Sequence, residues 1–320
     1  MKISELTINQ RVTIPLVVKT ATARKTVKKK DYLNMTFTDG VDSIQGNFWD
    51  WSGVNIPDVN AILDVTAQVS VWQGAKQLNI SKLATNTEKH LSDFAPNNGV
   101  DINAIYADVY AAMTSVSNYT LRSIALHILE DLKDLWLTVP AAVSMHHDYV
   151  GGTLIHSASV MNIARSIAQV TPGASVDLVT VGALLHDVGK LSSYKLNGII
   201  SEMTDEGKLF DHIHIGASLV RDVAKDLEVI NHEYQANALD MLCHIILSHH
   251  GTLEHGAVVT PLSIEAHIVH HADVIDAASE AIRVSSNKVN DAKWTDKIYM
   301  LNNRPHLTTQ YVDKVMYDVE

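Results

Sequence analysis

A single cysteine, Cys243, in 320 residues excludes an intramolecular disulfide and any small fold that depends on one. It also excludes a structural zinc site built from several thiolates. The residue sits in the apolar run Met241-Leu242-Cys243-His244-Ile245-Ile246, so a buried core thiol is expected rather than a reactive one. No run of about 18 consecutive apolar residues occurs, which leaves no membrane-spanning helix and no membrane partner to expect. Met1-Lys2-Ile3-Ser4-Glu5 does not begin a basic-then-apolar leader, and the expectation is a cytoplasmic protein. Internal repeats and low-complexity tracts are also missing. With 46% hydrophobic residues and ordinary charge content, the chain reads as globular and long enough for about two domains.

An overall basic excess is missing too, since the net charge is −11, but the charge is unevenly divided. Residues 1–90 hold 11 Lys+Arg against 8 Asp+Glu, a balance of +3, and the remainder holds 14 against 28, or −14. An acidic body behind a mildly basic head suits a metal-binding domain joined to a nucleic-acid-binding one. The head reads as strands: Arg11 to Thr20, Leu33 to Phe37, Ser43 to Trp49, Ala61 to Trp72 and Lys76 to Leu83, the last two joined through Gln73-Gly74-Ala75. Five short strands over about 75 residues predict a small closed barrel of OB-fold type. Arg24, Lys25, Lys28, Lys29 and Lys30 precede Tyr32, and Phe48, Trp49, Trp51 and Trp72 lie in the same segment. Cations that follow a phosphate backbone beside aromatic faces that stack on bases are what a single-strand binder needs, so these cations with Trp49 and Trp51 are candidate substrate contacts. The competing reading gives the lysines to solvent and Phe48 and Trp72 to the barrel core.

The strand pattern stops at Phe94-Ala95-Pro96-Asn97-Asn98-Gly99. Helical spacing takes over, over Asp101 to Ser115, Leu121 to Leu132, Leu154 to Val170, Val176 to Leu185, Ile213 to Leu227, Tyr234 to Ser248 and Ser263 to Val284. The polar interruption Ser192 to Lys208 predicts a hairpin or loop over a site. The expected organisation is multidomain α+β: a barrel over residues 1–92, a helical connector over 93–139 packing on the next domain, an all-α bundle over 140–285, and an extension over 286–320 that docks on the body or mediates homo-oligomerisation.

Histidine is the abundant residue. Fourteen of the 17 fall between positions 146 and 271. A buried imidazole needs partners for both ring nitrogens, and a metal ion is one such partner. The adjacent pair His186-Asp187 is joined by His156 upstream and by His212, His249-His250 and Asp273 downstream. Imidazole nitrogen with carboxylate oxygen suits Mn, Fe, Co, Zn or Ni. For His90, His127, His232, His244, His255, His267 and His306, surface or satisfied core positions are expected. His146, His147 and His214 are candidates for substrate contact. Lys190 follows Asp187 by three, which on a helix puts both on one side. There it could hold a phosphate oxygen or a leaving oxygen; its competing use is as a cation at a helix C-terminus.

The ordered set His156, His186-Asp187, His212, His249-His250 and Asp273 resembles the H…HD…H…HH…D signature of HD-domain phosphohydrolases. His146-His147-Asp148-Tyr149-Val150-Gly151-Gly152 and Thr204-Asp205-Glu206-Gly207-Lys208-Leu209-Phe210, with the strand-rich head, narrow the resemblance to the YhaM-type 3′-to-5′ exoribonucleases, which join an OB-fold to an HD domain. Asp211, Ile155 and His271 depart from the pattern, in which glycine, an acidic residue and tyrosine are usual. The resemblance implies one metal on His156, His186, Asp187 and Asp273, with Asp187 bridging to a second on His212, His249 and His250, manganese being the first choice. Two cations roughly 3.5–4 Å apart can share a hydroxide and clamp both attacking and leaving oxygens.

The function this implies is metal-dependent hydrolysis of single-stranded RNA, or of single-stranded DNA, from the 3′ end to nucleoside 5′-monophosphates, with Asp187 and Lys190 as catalytic residues. Two alternatives are an HD-type nucleotidase or cyclic-dinucleotide phosphodiesterase, and a non-catalytic nucleic-acid-binding protein on an HD scaffold.

Overall fold

The computed structural model describes residues 1–94, 100–141, 150–289 and 292–317. The chain divides into two compact units, residues 1–98 with 196–200, and residues 99–195 with 201–320.

The first unit is a closed barrel of five strands, β1 (Arg11–Lys25), β2 (Asp31–Thr38), β3 (Ser43–Phe48), β4 (Ile62–Trp72) and β5 (Ala75–Thr85), in the order β1-β2-β3-β5-β4. Closure depends on the length of β1. Its first half pairs with β4 and its second half with β2, and the register shifts between Val18 and Thr20 where the strand bends from one neighbour to the other. β3 runs parallel to β5, and the other pairings are antiparallel. Alternate residues point inward, so Ile14, Leu16, Val18, Leu33, Met35, Phe37, Val65, Val69 and Leu78 fill the interior. The β4–β5 turn has positive φ at both Gln73 and Gly74, which matches the right-handed twist of the flanking strands. The strand ladder is the one the alternation predicts, with OB-fold-like strand count and size.

The second unit is helical: α1 (Ile102–Thr114), α2 (Tyr119–Asp131), α3 (Lys133–Thr138), α4 (Gly152–Val170), α5 (Val176–Leu185), α6 (Lys190–Ser193), α7 (Asp205–Asp226), α8 (Glu233–Ser248), α9 (Ile264–Asn287) and α10 (Thr309–Tyr317). Between α6 and α7 lie β6 (Tyr194–Asn197) and β7 (Ile200–Met203), so the polar interruption forms a hairpin and its last residues join α7. Side-chain caps start several of the helices. Asp101 accepts from Asn103 and Ala104, Asn118 from Leu121, Ser175 from Leu178, Thr204 from Gly207, and Ser263 from Ala266.

α5 is apolar on every side, and Leu178 to Leu185 are all buried, so it forms the centre of the unit with α4, α8 and α9 around it. α1 and α2 contribute Val109, Met113, Leu121, Ile124 and Ile128 to the same core. The C-terminal segment docks on the end of α9, where the Thr309 amide donates to Ser286 Oγ at 3.2 Å and Gln310 Nε2 to the Ser286 carbonyl at 3.3 Å. No helix among the described residues is long and apolar enough to cross a membrane.

Candidate metal centre

The buried helix α5 ends at Leu185, and His186 to Gly189 form a turn before α6. That turn carries His186 and Asp187, both buried, because the apolar helix before it is buried. Gly189 lets the turn rest on α7. A Cβ there would lie 1.9 Å from the His212 carbonyl oxygen and 2.6 Å from the Gly216 nitrogen, so only hydrogen at that position permits the approach. The approach sets His212 beside Asp187. α8 ends at Ser248 and delivers His249 as its C-cap and His250 next to it, α4 supplies His156, and α9 supplies Asp273.

The orientation of all five imidazoles is fixed from behind. The Nδ1 of His186 bonds to the Ala183 carbonyl at 2.7 Å, that of His249 to the Ile246 carbonyl at 2.7 Å, and that of His250 to the His255 carbonyl at 2.9 Å. Since a carbonyl only accepts, these three nitrogens carry the proton. The Nδ1 of His156 bonds to Asp276 Oδ2 at 2.7 Å, and that of His212 contacts the Asp211 carboxylate. Every Nε2 is thereby left as a donor atom toward the interior.

These donors converge on Asp187. Its Oδ2 lies 3.3 Å from the Nε2 of both His156 and His186; its Oδ1 lies 3.3 Å from His212 Nε2 and 3.5 Å from His249 Nε2. One carboxylate thus faces two sets of histidines with its two oxygens, the arrangement of a bridging ligand. Asp273 Oδ1 stands 3.2 Å from His156 Nε2. The groups His212, His249, His250 and His156, His186, Asp187 each place their ligand atoms within 4.8 Å of one another, and so do His186, His249 and Asp273.

Asp187 Oδ1, His212 Nε2 and His249 Nε2 are buried without a hydrogen-bond partner, and lone pairs facing one another in a low-dielectric interior repel. A metal ion held among them would satisfy all three at once. Imidazole with carboxylate, with second partners on each ring, is the donor chemistry of a divalent transition-metal site, so the residues fit the two-cation assignment.

The protein's own cations act in the same direction. Burial raises the carboxyl pKa of Asp187, but the Lys190 ammonium and His186 outweigh it and hold the group well below the usual carboxylate range. For His156 burial depresses the pKa, and Asp187, Asp273 and Asp276 more than reverse that, lifting it well above the ordinary imidazole value. His249 and His250 are pushed down, chiefly by burial, which keeps them neutral and able to ligate. Lys190 opens α6 rather than closing a longer helix, and its Nζ lies 2.8 Å from Asp187 Oδ2.

The structure brings together His156, His186, Asp187, Lys190, His212, His249, His250 and Asp273. His214 is exposed on α7 with its ring 6.2 Å from Phe210, outside that cluster; His146 and His147 lie outside the described residues. Asp276 is the residue the sequence reading missed. It stands one turn after Asp273, on the same side of α9, where it also accepts from Ser159, one turn after His156 on α4. The matched three-residue spacings are the signal that could have found it. His270 is a second omission: its Nδ1 bonds to the His249 carbonyl at 2.6 Å, and its ring packs over Gly251.

On the barrel, Arg24 and Lys25 end β1 and Lys28, Lys29 and Lys30 form the exposed turn into β2. Lys25 pairs with Asp31 at 2.7 Å and Lys30 with Asp50 at 2.9 Å, both on the surface. Trp49 is 42% exposed and stacks on Tyr32 with ring centroids 4.5 Å apart, a face the sequence reading had only half identified. Trp51 is half-buried against the barrel core and donates its indole N–H to the Val54 carbonyl. Trp72, weighed as core, is 66% exposed at the end of β4.

Residues 153–278 match the family model of the HD domain, and all seven of the candidate ligands fall within the match. No solved structure matches the chain. The helical region therefore contains an HD domain, a match that supports a metal-dependent hydrolase.

Proposed function

We propose that the protein is a metal-dependent phosphodiesterase that shortens single-stranded RNA from its 3′ end, releasing nucleoside 5′-monophosphates. The observation that carries the hydrolase reading is the buried convergence of imidazole Nε2 atoms on the two oxygens of Asp187, inside the HD match. RNA as the substrate is supported by the barrel, with its stacked Tyr32–Trp49 face and the basic turn Lys28-Lys29-Lys30. The 3′-to-5′ direction rests on the sequence resemblance.

His156, His186, Asp187 and Asp273 would hold one divalent cation, and His212, His249 and His250, with the second oxygen of Asp187, the other. When bound, such cations lower the pKa of water to near neutrality and offset charge on a phosphodiester. The chain's own groups do the remaining work. Asp187 stays ionised because Lys190 and the histidines offset its burial. Lys190 stays protonated because Asp187 outweighs its desolvation, so its ammonium is available to neutralise a phosphate oxygen or a departing 3′ oxygen. Tyr194, its phenol pKa raised chiefly by burial, remains a neutral hydroxyl beside Lys190. The barrel's aromatic and basic surface would retain a strand across successive cleavages.

The test is a time course with metal-stripped protein, 5′-labelled single-stranded RNA carrying a free or blocked 3′ end, added Mn²⁺, and an Asp187→Ala control. A ladder shortening from the free 3′ end, absent without metal and in the variant, is expected, and blocked RNA should persist. Intact RNA with Mn, Co, Zn, Fe or Ni, together with hydrolysis of a nucleotide or cyclic dinucleotide, would overturn the substrate while keeping the hydrolase.

A further inference from the structure

α7 is broken at Asp211. Asp211 has φ 59° and ψ 153° between helical neighbours, a conformation that residues with a Cβ rarely adopt. Its carboxylate contacts Nδ1 of the next residue, His212. The other rings show why such a contact is needed. His186 and His249 cap helix ends, where each uses the carbonyl three residues back. His212 instead opens the helical segment that follows the break at Asp211, so it has no helix-end carbonyl three residues back of the kind that His186 and His249 use. Its Nδ1 partner must come from a side chain, and the break at Asp211 brings one round. The ring then points Nε2 at Asp187 Oδ1, 3.3 Å away, as one of the three unpartnered buried atoms.

We propose that Asp211 is a positioning residue for the second subsite, His212, His249 and His250, where a strained backbone holds a solvent-facing carboxylate against His212 and so sets how tightly that subsite takes a divalent cation. The assignment rests on the two-cation reading above. The two subsites are then buttressed differently. Behind His156 stands a buried carboxylate, Asp276; behind His212 stands one whose side chain is 71% exposed. Water competes for the second bond and not for the first, so the second subsite is the weaker and the more exchangeable.

Calorimetric titration of metal-stripped full-length protein with Mn²⁺ tests this, with Asp211→Gly, Asp211→Ala and Asp211→Asn beside the parent. The parent should take two equivalents of unequal affinity. Glycine and alanine should weaken the second by about 10–100-fold and leave the first unchanged, while asparagine, which keeps an acceptor oxygen, should restore most of the loss. Without metal, Asp211→Gly should melt above Asp211→Ala, the reverse of their order in a regular helix interior, because only glycine relieves the backbone. Two unchanged equivalents in both variants would overturn the positioning role, and alanine melting above glycine would overturn the strain behind it. A parent that binds no Mn²⁺ would overturn the metal-centre reading itself, and this assignment with it.

Discussion

Each imidazole of the centre is controlled by the atom behind it, and the acceptors differ in kind. Three are backbone carbonyls, which hold the ring but carry no full charge; Asp276 is a buried carboxylate that also makes its ring more basic. Asp276→Asn keeps an acceptor and removes the charge. We expect metal affinity at the His156 subsite to fall by about 10–100-fold, read by calorimetry, with the circular dichroism spectrum unchanged. Equal affinity in the variant would mean that Asp276 merely fills space. At this scale the sequence was legible for side chains that announce a metal, since His186-Asp187 and His249-His250 are adjacent pairs in apolar surroundings. Asp276 and Asp211 were opaque as partners, because an aspartate on a helix is ordinarily a solvated residue and only a neighbouring element shows what it faces.

Among the elements, the contact between the His186–Gly189 turn and α7 decides whether the two halves of the centre meet. Gly189 has helical φ, so alanine there would be unstrained by itself; the obstacle is the His212 carbonyl, 1.9 Å from the added carbon. Gly189→Ala must push α7 from the turn. We expect it to lower the urea midpoint, at an overpacking cost of about 1–3 kcal/mol, and to abolish binding of the second cation by parting His212 from Asp187. Unchanged stability and two-equivalent binding would show that the turn can move freely. Periodicity predicted α5 to its bounds and α8 within a residue, because both are long apolar patterns ending at polar ones. It began a helix at Ile213, within a residue of where α7 resumes after the non-helical Asp211, and missed the earlier segment from Asp205, because residues 205–210 carry charge and no regular apolar stripe. α3 and α6 are six and four residues long, too short for a 3.6-residue period to register.

For the whole molecule, the charge asymmetry between residues 1–90 and the acidic remainder makes a separable prediction. Replacing Lys28, Lys29 and Lys30 together by alanine should reduce the salt dependence of single-stranded RNA binding, by a slope of about 2 in log K against log salt if all three reach phosphates. Hydrolysis of a small phosphodiester such as bis(p-nitrophenyl) phosphate should be unchanged, since the lysines lie on the barrel unit and the cluster on the helical one. An equal loss on both substrates would place these cations in the chemistry instead of in strand binding.

The sequence by itself determined the five barrel strands and the longer helices, because burial on one face imposes a period of two or of 3.6 on residue type. It also named the histidines and aspartates that the structure brings together, because such residues in apolar helices need a reason to be there. Three things waited for the tertiary structure. They are the division of Asp187 between two sets of histidines, the second carboxylates behind His156 and His212, and the Tyr32–Trp49 stack. Apart from the Asp211–His212 contact, the partners come from different elements or from a backbone turn that no local preference predicts. Asp211 and His212 are sequence neighbours, and even there the contact depends on a φ of 59° that a linear reading of a helix would not assign to aspartate. Local residue type sets what each element is, and only the packing of elements sets which polar atoms share a buried point.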